Sequence, residues 1–201
     1  MTSSMSRRSL FAATGAVLAV GLAACTANDP LAKQAAAGDN KGFVAGDGSV
    51  TEFALDKRSD PVEFSGKLFD GSTISAAKLR GKVTILNFWY AGCSPCRKEA
   101  PDLQALNAEF EPQGVKFLGV NIRDEAATAE AFERGYKLTY PSIMDKDGGV
   151  LLALSQLNLV KPSAVPTTLV LDKQGRVSAR LLGEADKSTL KALITSVLAE
   201  K

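Results

Sequence analysis

The pattern of hydrophobic and polar residues predicts alternating strands and helices over most of the chain. Two near-continuous apolar runs, 82–90 (KVTILNFWY) and 115–122 (VKFLGVNI), are typical of strands that are buried on both faces of a sheet. A helix is predicted after each run, over 95–110, where apolar residues recur at helical spacing, and over 125–134. This alternation of strand and helix is typical of an α/β protein.

Shorter patterns complete the predicted fold. They comprise β-prone segments at 62–64 and 73–74 with a turn at Asp70-Gly71, a strand at 141–144, a helical stretch at 150–157, strands at 167–171 and 176–182 around the turn Lys173-Gln174-Gly175, and an amphipathic helix at 187–198. The order predicts an α/β fold in which a central mixed sheet carries helices on both faces, with an extra N-terminal β-hairpin.

The first 24 residues have the pattern of an export signal. Ser6-Arg7-Arg8 gives a positively charged start, and the apolar run from Leu10 to Ala24 is shorter than the about 20 residues that a membrane-spanning helix needs. Residues 6–11 resemble a twin-arginine export signal, although leucine and phenylalanine stand in the reverse of its usual order. General secretory export therefore stays open as an alternative.

The leader ends in Leu22-Ala23-Ala24-Cys25, which resembles the lipobox of bacterial lipoproteins. In that family the cysteine is lipidated and becomes the mature N-terminus, so the resemblance implies that Cys25 anchors the protein to the outer face of the cell membrane. The alternative is a simple cleavage site with an incidental cysteine. Residues 25–41 have no hydrophobic periodicity, which is typical of a flexible tether. The folded domain is therefore predicted to span residues 42–201.

Composition and charge exclude several classes of function. The chain has 24 basic and 22 acidic residues, and the leader contributes Arg7 and Arg8 but no acidic residue. The rest of the chain is therefore neutral, which gives no electrostatic reason to expect nucleic acid as a partner. The chain contains no histidine, which excludes Ser-His-Asp and Cys-His catalytic groups and metal sites that need imidazole.

Two of the three cysteines form a C-x-x-C pair, Cys93 and Cys96. This spacing beside alternating strands and helices suggests thiol–disulfide exchange. Cys93 lies where a helix begins, and the unpaired N–H groups there favour the attacking thiolate, so we expect its sulfur to be exposed. Cys96, one turn further, is expected to be shielded and to resolve mixed disulfides.

A static disulfide and a metal site are the alternatives for this pair. A loop this short gains comparatively little stability from cross-linking, because the entropic benefit grows with loop size. A four-thiolate zinc site needs one more cysteine than the chain has.

Two segments, FWYAGCSPCRKEAP and AVPTTLVLDKQGRV, resemble the thioredoxin fold, and more narrowly the TlpA/ResA/CcmG-type membrane-tethered thiol–disulfide oxidoreductases. The resemblance runs from about Gly42 to the C-terminus. It implies an extracytoplasmic enzyme that reduces disulfides in exported proteins such as apocytochrome c. Such an enzyme needs no cofactor or metal and usually receives electrons from a membrane donor.

The resemblance also implies roles for residues around the cysteines. Val165, Pro166 and Thr167 match a loop with a cis-proline, which faces the cysteines and pairs with an extended substrate segment. A trans-proline that opens a strand is the alternative. Glu99 matches a glutamate near the active cysteines, where a buried carboxylate raises the cysteine pKa values and shuttles protons. Its alternative is an ordinary solvated residue of a helix.

Three neighbouring positions modify these expectations. Trp89 matches the family's tryptophan and is implied to contribute to substrate binding, although it suits a core anchor equally well. Asn87 stands where thioredoxins proper carry a buried acid, so proton transfer would fall to Glu99 or water. Gly92 precedes the first cysteine, where the family more often has tryptophan, and this leaves the sulfur of Cys93 more open.

A lipid-anchored reductase is the leading hypothesis, with a disulfide-containing exported protein as substrate and a membrane electron donor or acceptor as redox partner. An oxidase that forms disulfides in exported proteins would carry the same motif. A thiol peroxidase needs a threonine and a proline around its cysteine, which Trp89-Tyr90-Ala91-Gly92 does not supply. A copper chaperone of this fold relies on the histidine that is missing.

Overall fold

Eight strands and five α-helices lie in residues 49–161 and 163–200, the parts of the chain that the computed structural model describes. The strands are β1 (Val50–Glu52), β2 (Ser65–Lys67), β3 (Thr73–Ser75), β4 (Thr84–Trp89), β5 (Lys116–Asn121), β6 (Ser142–Met144), β7 (Thr167–Leu171) and β8 (Val177–Leu182). The helices are α1 (Ala76–Leu79), α2 (Ser94–Phe110), α3 (Ala126–Tyr136), α4 (Gly149–Gln156) and α5 (Lys187–Leu198). The predicted leader, Cys25 and the tether lie outside the described residues.

Six strands form one mixed sheet in the order β1-β8-β7-β4-β5-β6. β4, β5 and β6 run parallel, and β7, β8 and β1 continue the sheet on the other side of β4 by antiparallel pairing. Every residue of β4 and β7 is buried, which agrees with their near-continuous apolar sequences.

Alternate residues of the central strands face two hydrophobic cores. On one face, Leu86 and Phe88 of β4 belong to the same cluster as side chains of α1 and α4. On the other face, Ile85 belongs to a cluster with side chains of α2 and α5. This period of two follows from strand geometry. The predicted α/β fold, with a mixed sheet between helices, is therefore confirmed.

The small antiparallel sheet of β2 and β3 differs from the predicted positions in its first strand. The strand begins three residues later than the predicted segment 62–64, and Val62 and Phe64 are buried in the core instead. A Cβ atom on Gly66 would lie 2.3 Å from Ile143 of β6, so only glycine lets β2 approach β6 this closely.

Two short elements have no counterpart in the prediction. β1 and α1 contain three and four residues, too few to establish a hydrophobic period. Among the described residues, no helix combines the length and the apolar composition that crossing a bilayer requires.

Candidate active site

The cysteine pair lies at the start of α2, directly after the central strand β4. Cys93 is the N-cap residue, and its Sγ accepts a hydrogen bond from the backbone N–H of Cys96 at 3.1 Å. Pro95 occupies the first turn, where its missing N–H costs no helical hydrogen bond. The two sulfurs form a disulfide. Seventeen helical residues follow, so the positive end of the helix dipole points at Cys93.

The sulfur of Cys93 is more shielded than the sequence predicts. Cys93 is 3% exposed and Cys96 is 2% exposed, and both pack in a cluster with Trp89, Ala91 and Phe132. The expectation of an exposed Cys93 is therefore wrong for the disulfide form. The physical reason is that Cys93 packs in the same apolar cluster as Cys96, whose side chains cover the sulfur.

The carbonyl oxygen of Val165 lies 3.9 Å from Cys93 Sγ. A sulfur in a disulfide carries no proton, so this is a contact between atoms rather than a hydrogen bond. After reduction, the Cys93 thiol gains a proton that it can donate towards this carbonyl. The cis-proline loop therefore lies next to Cys93.

The Val165–Pro166 peptide bond is cis, as the resemblance implies. Pro166 is buried, and Thr167, the first residue of β7, donates from Oγ1 to the carbonyl oxygen of Ala164 at 2.5 Å. Gly183 donates its N–H to the carbonyl oxygen of Pro166 at 2.9 Å. These contacts fix the conformation of the loop and connect it to Gly183, which follows β8, and its pairing with substrate stays a prediction.

Glu99 lies on α2 one turn after Cys96 and is 1% exposed, so it is not an ordinary solvated residue of a helix. Its Oε1 accepts from Asn87 Nδ2 at 2.7 Å, and its Oε2 accepts from the N–H of Ala185 at 2.8 Å. Burial raises the pKa of Glu99 to about 7, although these two hydrogen bonds oppose the rise. Glu99 therefore titrates near neutral pH.

Asn87 connects Glu99 to the surroundings of the cysteines. Besides Glu99, its Nδ2 donates to Thr168 Oγ1 at 3.1 Å, which joins β4 to β7. Asn87 and Cys96 also line one internal cavity with a volume of about 10 Å³, roughly the space of one water molecule. The remaining lining residues are Trp89, Ala100, Leu103, Phe132, Leu138 and Tyr140.

Trp89 ends β4 directly behind the disulfide. It is 3% exposed, and its ring centroid lies 4.5 Å from that of Phe132. This burial agrees with the interpretation of Trp89 as a core anchor. Its contribution to substrate binding stays a prediction.

Local sequence patterns do not identify the residues that hold the loop before Cys93. Asp124 accepts from the N–H of Ala91 at 2.6 Å and from Asn121 Nδ2 at 2.9 Å. Arg97 donates from Nε to the carbonyl oxygen of Ala91 at 2.9 Å. A signal for Asp124 exists, because β4 and β5 are parallel and the residues after both strands meet at the same edge of the sheet.

A family model described as AhpC/TSA family matches residues 59–180, more than half of the chain. The chain belongs to this family. A relative named thiol-disulfide oxidoreductase ResA, from Oceanobacillus iheyensis, is 30% identical over 79% of this chain and 76% of its own length. The ResA of Geobacillus thermodenitrificans is 33% identical over 59% of this chain, and the match spans less than two thirds, 64%, of that relative's length.

Solved structures also share this fold, and one of them is named a secreted thiol-disulfide isomerase. A DsbF homologue from Corynebacterium diphtheriae is 32% identical, with a TM-score of 0.67 over 78% of this chain and 99% of that one. A secreted thiol-disulfide isomerase from Corynebacterium glutamicum is 30% identical, with a TM-score of 0.70 over 80% of this chain and 100% of that one. The resemblance to thioredoxin-like, ResA-type thiol–disulfide oxidoreductases is thus confirmed.

Proposed function

We propose that this protein is an extracytoplasmic, lipid-anchored reductase that uses Cys93 and Cys96 to reduce disulfides in exported proteins, apocytochrome c among them. The observation that carries the proposal is the disulfide at the start of α2, which lies against the cis-proline loop. The names of the ResA relatives support the reaction type.

The reaction is a two-electron exchange between two sulfur pairs. The Cys93 thiolate attacks one sulfur of the substrate disulfide, and the substrate's other sulfur leaves as a thiolate and takes up a proton. The thiolate of Cys96 then attacks Cys93 in the mixed disulfide and releases the second substrate sulfur. The protein is oxidised to its disulfide, and the substrate is reduced to a dithiol.

Glu99 is the proposed acceptor of the proton that Cys96 loses. Its pKa of about 7 lets it take and release a proton near neutral pH. Asn87, which donates to Glu99 and lines the same cavity as Cys96, is the link between the two groups. We infer that a water molecule in this cavity completes the path.

The charges near the sulfurs support the reductase direction of the proposed reaction. An ionised Glu99 disfavours a second negative charge at Cys96, and a less stable thiolate pair makes the dithiol a better reductant. Strong oxidants such as DsbA instead stabilise their reduced form. The chain has no histidine that would supply such stabilisation.

Membrane attachment is proposed to depend on Cys25 and the tether that follows it. The lipobox resemblance supports lipidation, and an anchored protein is placed to receive electrons from a membrane donor. Cys25→Ser should release the protein from membranes into the soluble exported fraction, which fractionation of cells detects. Retention of this variant in membranes would contradict the anchor.

The redox proposal is tested by equilibrating the purified domain with glutathione. We expect a reduction potential nearer to the about −270 mV of thioredoxin than to the about −120 mV of DsbA. Reduced protein should transfer its electrons to a disulfide-containing apocytochrome peptide, and Cys93→Ser should abolish the transfer. A potential close to that of DsbA would overturn the reductase direction.

A second candidate is disulfide formation or isomerisation in exported proteins. The similarity to the Corynebacterium glutamicum protein, which is named a secreted thiol-disulfide isomerase, favours it. Refolding of a reduced, multi-cysteine substrate by the oxidised protein separates this candidate from the reductase.

A further inference from the structure

Three buried polar atoms lie around the tryptophan behind the cysteines. Trp89 Nε1, Ser142 Oγ and Glu133 Oε1 are shielded from solvent, and none of them makes a hydrogen bond of ordinary geometry to another described residue. Trp89 is 3% exposed and Ser142 is 1% exposed. Buried polar atoms in folded proteins are nearly always paired, so a cluster of three indicates that they serve one another.

Gly119 creates the space in which two of these atoms meet. It lies on β5 opposite Ser142 of β6 and opposite Asn87 of β4. A Cβ atom at position 119 would lie 2.1 Å from Ser142 Oγ and 2.7 Å from Trp89 Nε1. The Ser142 hydroxyl and the Trp89 indole N–H therefore both lie against the backbone of Gly119, which has no side chain to separate them.

Glu133 approaches the serine from the helix that covers the tryptophan. It follows Phe132 on α3, and the ring of Phe132 packs on Trp89 at 4.5 Å. Burial raises the pKa of the Glu133 carboxyl, and its interaction with the hydroxyl of Ser142 opposes the rise. The carboxylate therefore faces Ser142 from α3.

The hydrogen-bonding capacities of the three groups complement one another. An indole Nε1–H only donates, an ionised carboxylate only accepts, and a hydroxyl does both. We propose that Ser142 is a positioning residue, which accepts from Trp89 Nε1–H and donates to Glu133, and that this relay fixes the indole ring against the cysteine pair. Trp89 shares its apolar cluster with Cys93 and Cys96, so the orientation of its ring determines the surface that packs behind the disulfide.

The inference deepens the proposed function, but its first test does not depend on redox activity. Trp89 is the only tryptophan of the chain, so the indole N–H gives a single resonance in a proton–nitrogen NMR spectrum. The exchange of this proton with deuterated solvent is measured in the oxidised full-length protein. The variants are Ser142→Ala, Ser142→Thr, which keeps the hydroxyl, and Glu133→Ala, with Glu130→Gln as matched control on the same helix.

Loss of the relay should increase the exchange rate of the indole proton. We expect Ser142→Ala to speed exchange about tenfold, the factor that corresponds to one ordinary hydrogen bond, and Glu133→Ala to have a smaller effect of the same sign. Ser142→Thr and Glu130→Gln should stay within about twofold of the wild type. Unchanged exchange and an unmoved indole resonance in folded Ser142→Ala would overturn the relay. If that variant fails to fold, unchanged exchange in Glu133→Ala overturns it instead.

The positioning role is tested by the equilibrium with glutathione. Ser142→Ala should change the equilibrium constant of the Cys93–Cys96 pair about threefold or more, whereas Glu130→Gln should not. A response of the indole proton without a change in this constant would overturn the positioning role. If wild-type Cys93 and Cys96 do not exchange with glutathione at all, the proposed function fails, and the indole measurement still decides the relay.

Discussion

At the scale of single residues, Glu99 is the side chain whose shifted pKa bears most directly on the proposed reaction. The structure buries a carboxyl that the sequence pattern alone leaves open as a solvated residue, and burial moves its pKa to about 7. The folded protein therefore binds a proton that the unfolded chain, with a pKa near 4.5, has already released. Between these two values, the free energy of unfolding should fall as pH rises.

Replacement of this carboxyl gives a direct prediction. Glu99→Gln removes the titrating group, so the decline in the free energy of unfolding between about pH 4.5 and pH 7 should become shallower than in the wild type. The difference is on the order of 3 kcal/mol across the window, from a pKa displacement of about 2.5. Urea unfolding of the oxidised protein at several pH values measures it.

The other buried acids titrate alike in both proteins, so the difference between the two curves belongs to Glu99. Asp145 and Glu133, whose pKa values burial also raises, are present in each. Two parallel curves would contradict the raised pKa of Glu99.

At the scale of elements, the sequence predicts those parts of the fold in which a hydrophobic period is long enough to measure. β7 and α5 begin and end where the pattern predicts, at 167–171 and 187–198. β2 is displaced because Val62 and Phe64, which resemble a strand in isolation, are buried in the core before the strand begins. A local pattern does not distinguish burial in a strand from burial in a loop.

The residues of the candidate site also fall into two groups, those that the local sequence identifies and those that only the folded structure brings together. The motif locates Cys93, Cys96 and the cis-proline loop, because these residues are close in the chain or carry a recognisable local sequence. Asp124 and Ser142 reach the site only through the pairing of β5 with its neighbours. Contacts of this kind depend on sheet order, which the hydrophobic period does not specify.

The loop between β4 and α2 should depend on Asp124. Asp124→Ala removes the acceptor of the Ala91 N–H and of the Asn121 amide. A buried donor without its partner costs about 1–3 kcal/mol, so hydrogen exchange at the amide of Ala91 should accelerate about fivefold or more. Asp60→Ala, at an exposed acid, is the matched control. Equal protection of Ala91 in both variants would show that Arg97 alone holds the loop.

At the scale of the whole molecule, one buried arginine ties together segments far apart in the chain. Arg58 contacts Asp172 in the turn after β7 at 2.9 Å and Glu200, just after α5, at 2.6 Å. The side chains of Arg58 and Asp172 are only 4% and 1% exposed. Although burial opposes it, hydrogen bonds from Arg176 and Arg58 hold the pKa of Asp172 below its usual value.

Removal of this arginine should therefore destabilise the domain strongly. Arg58→Ala leaves the Asp172 carboxylate buried with Arg176 as its remaining cationic partner, and breaking a buried pair in this way costs on the order of 3 kcal/mol. The exposed pair of Arg80 and Glu63 supplies the control, because Glu63→Gln should cost less than about 1 kcal/mol. Urea unfolding of both variants at pH 7 compares the two losses. Losses of equal size would mean that Asp172 keeps its stabilisation through Arg176 alone, and that the segment after α5 is held by the apolar packing of that helix rather than by Arg58.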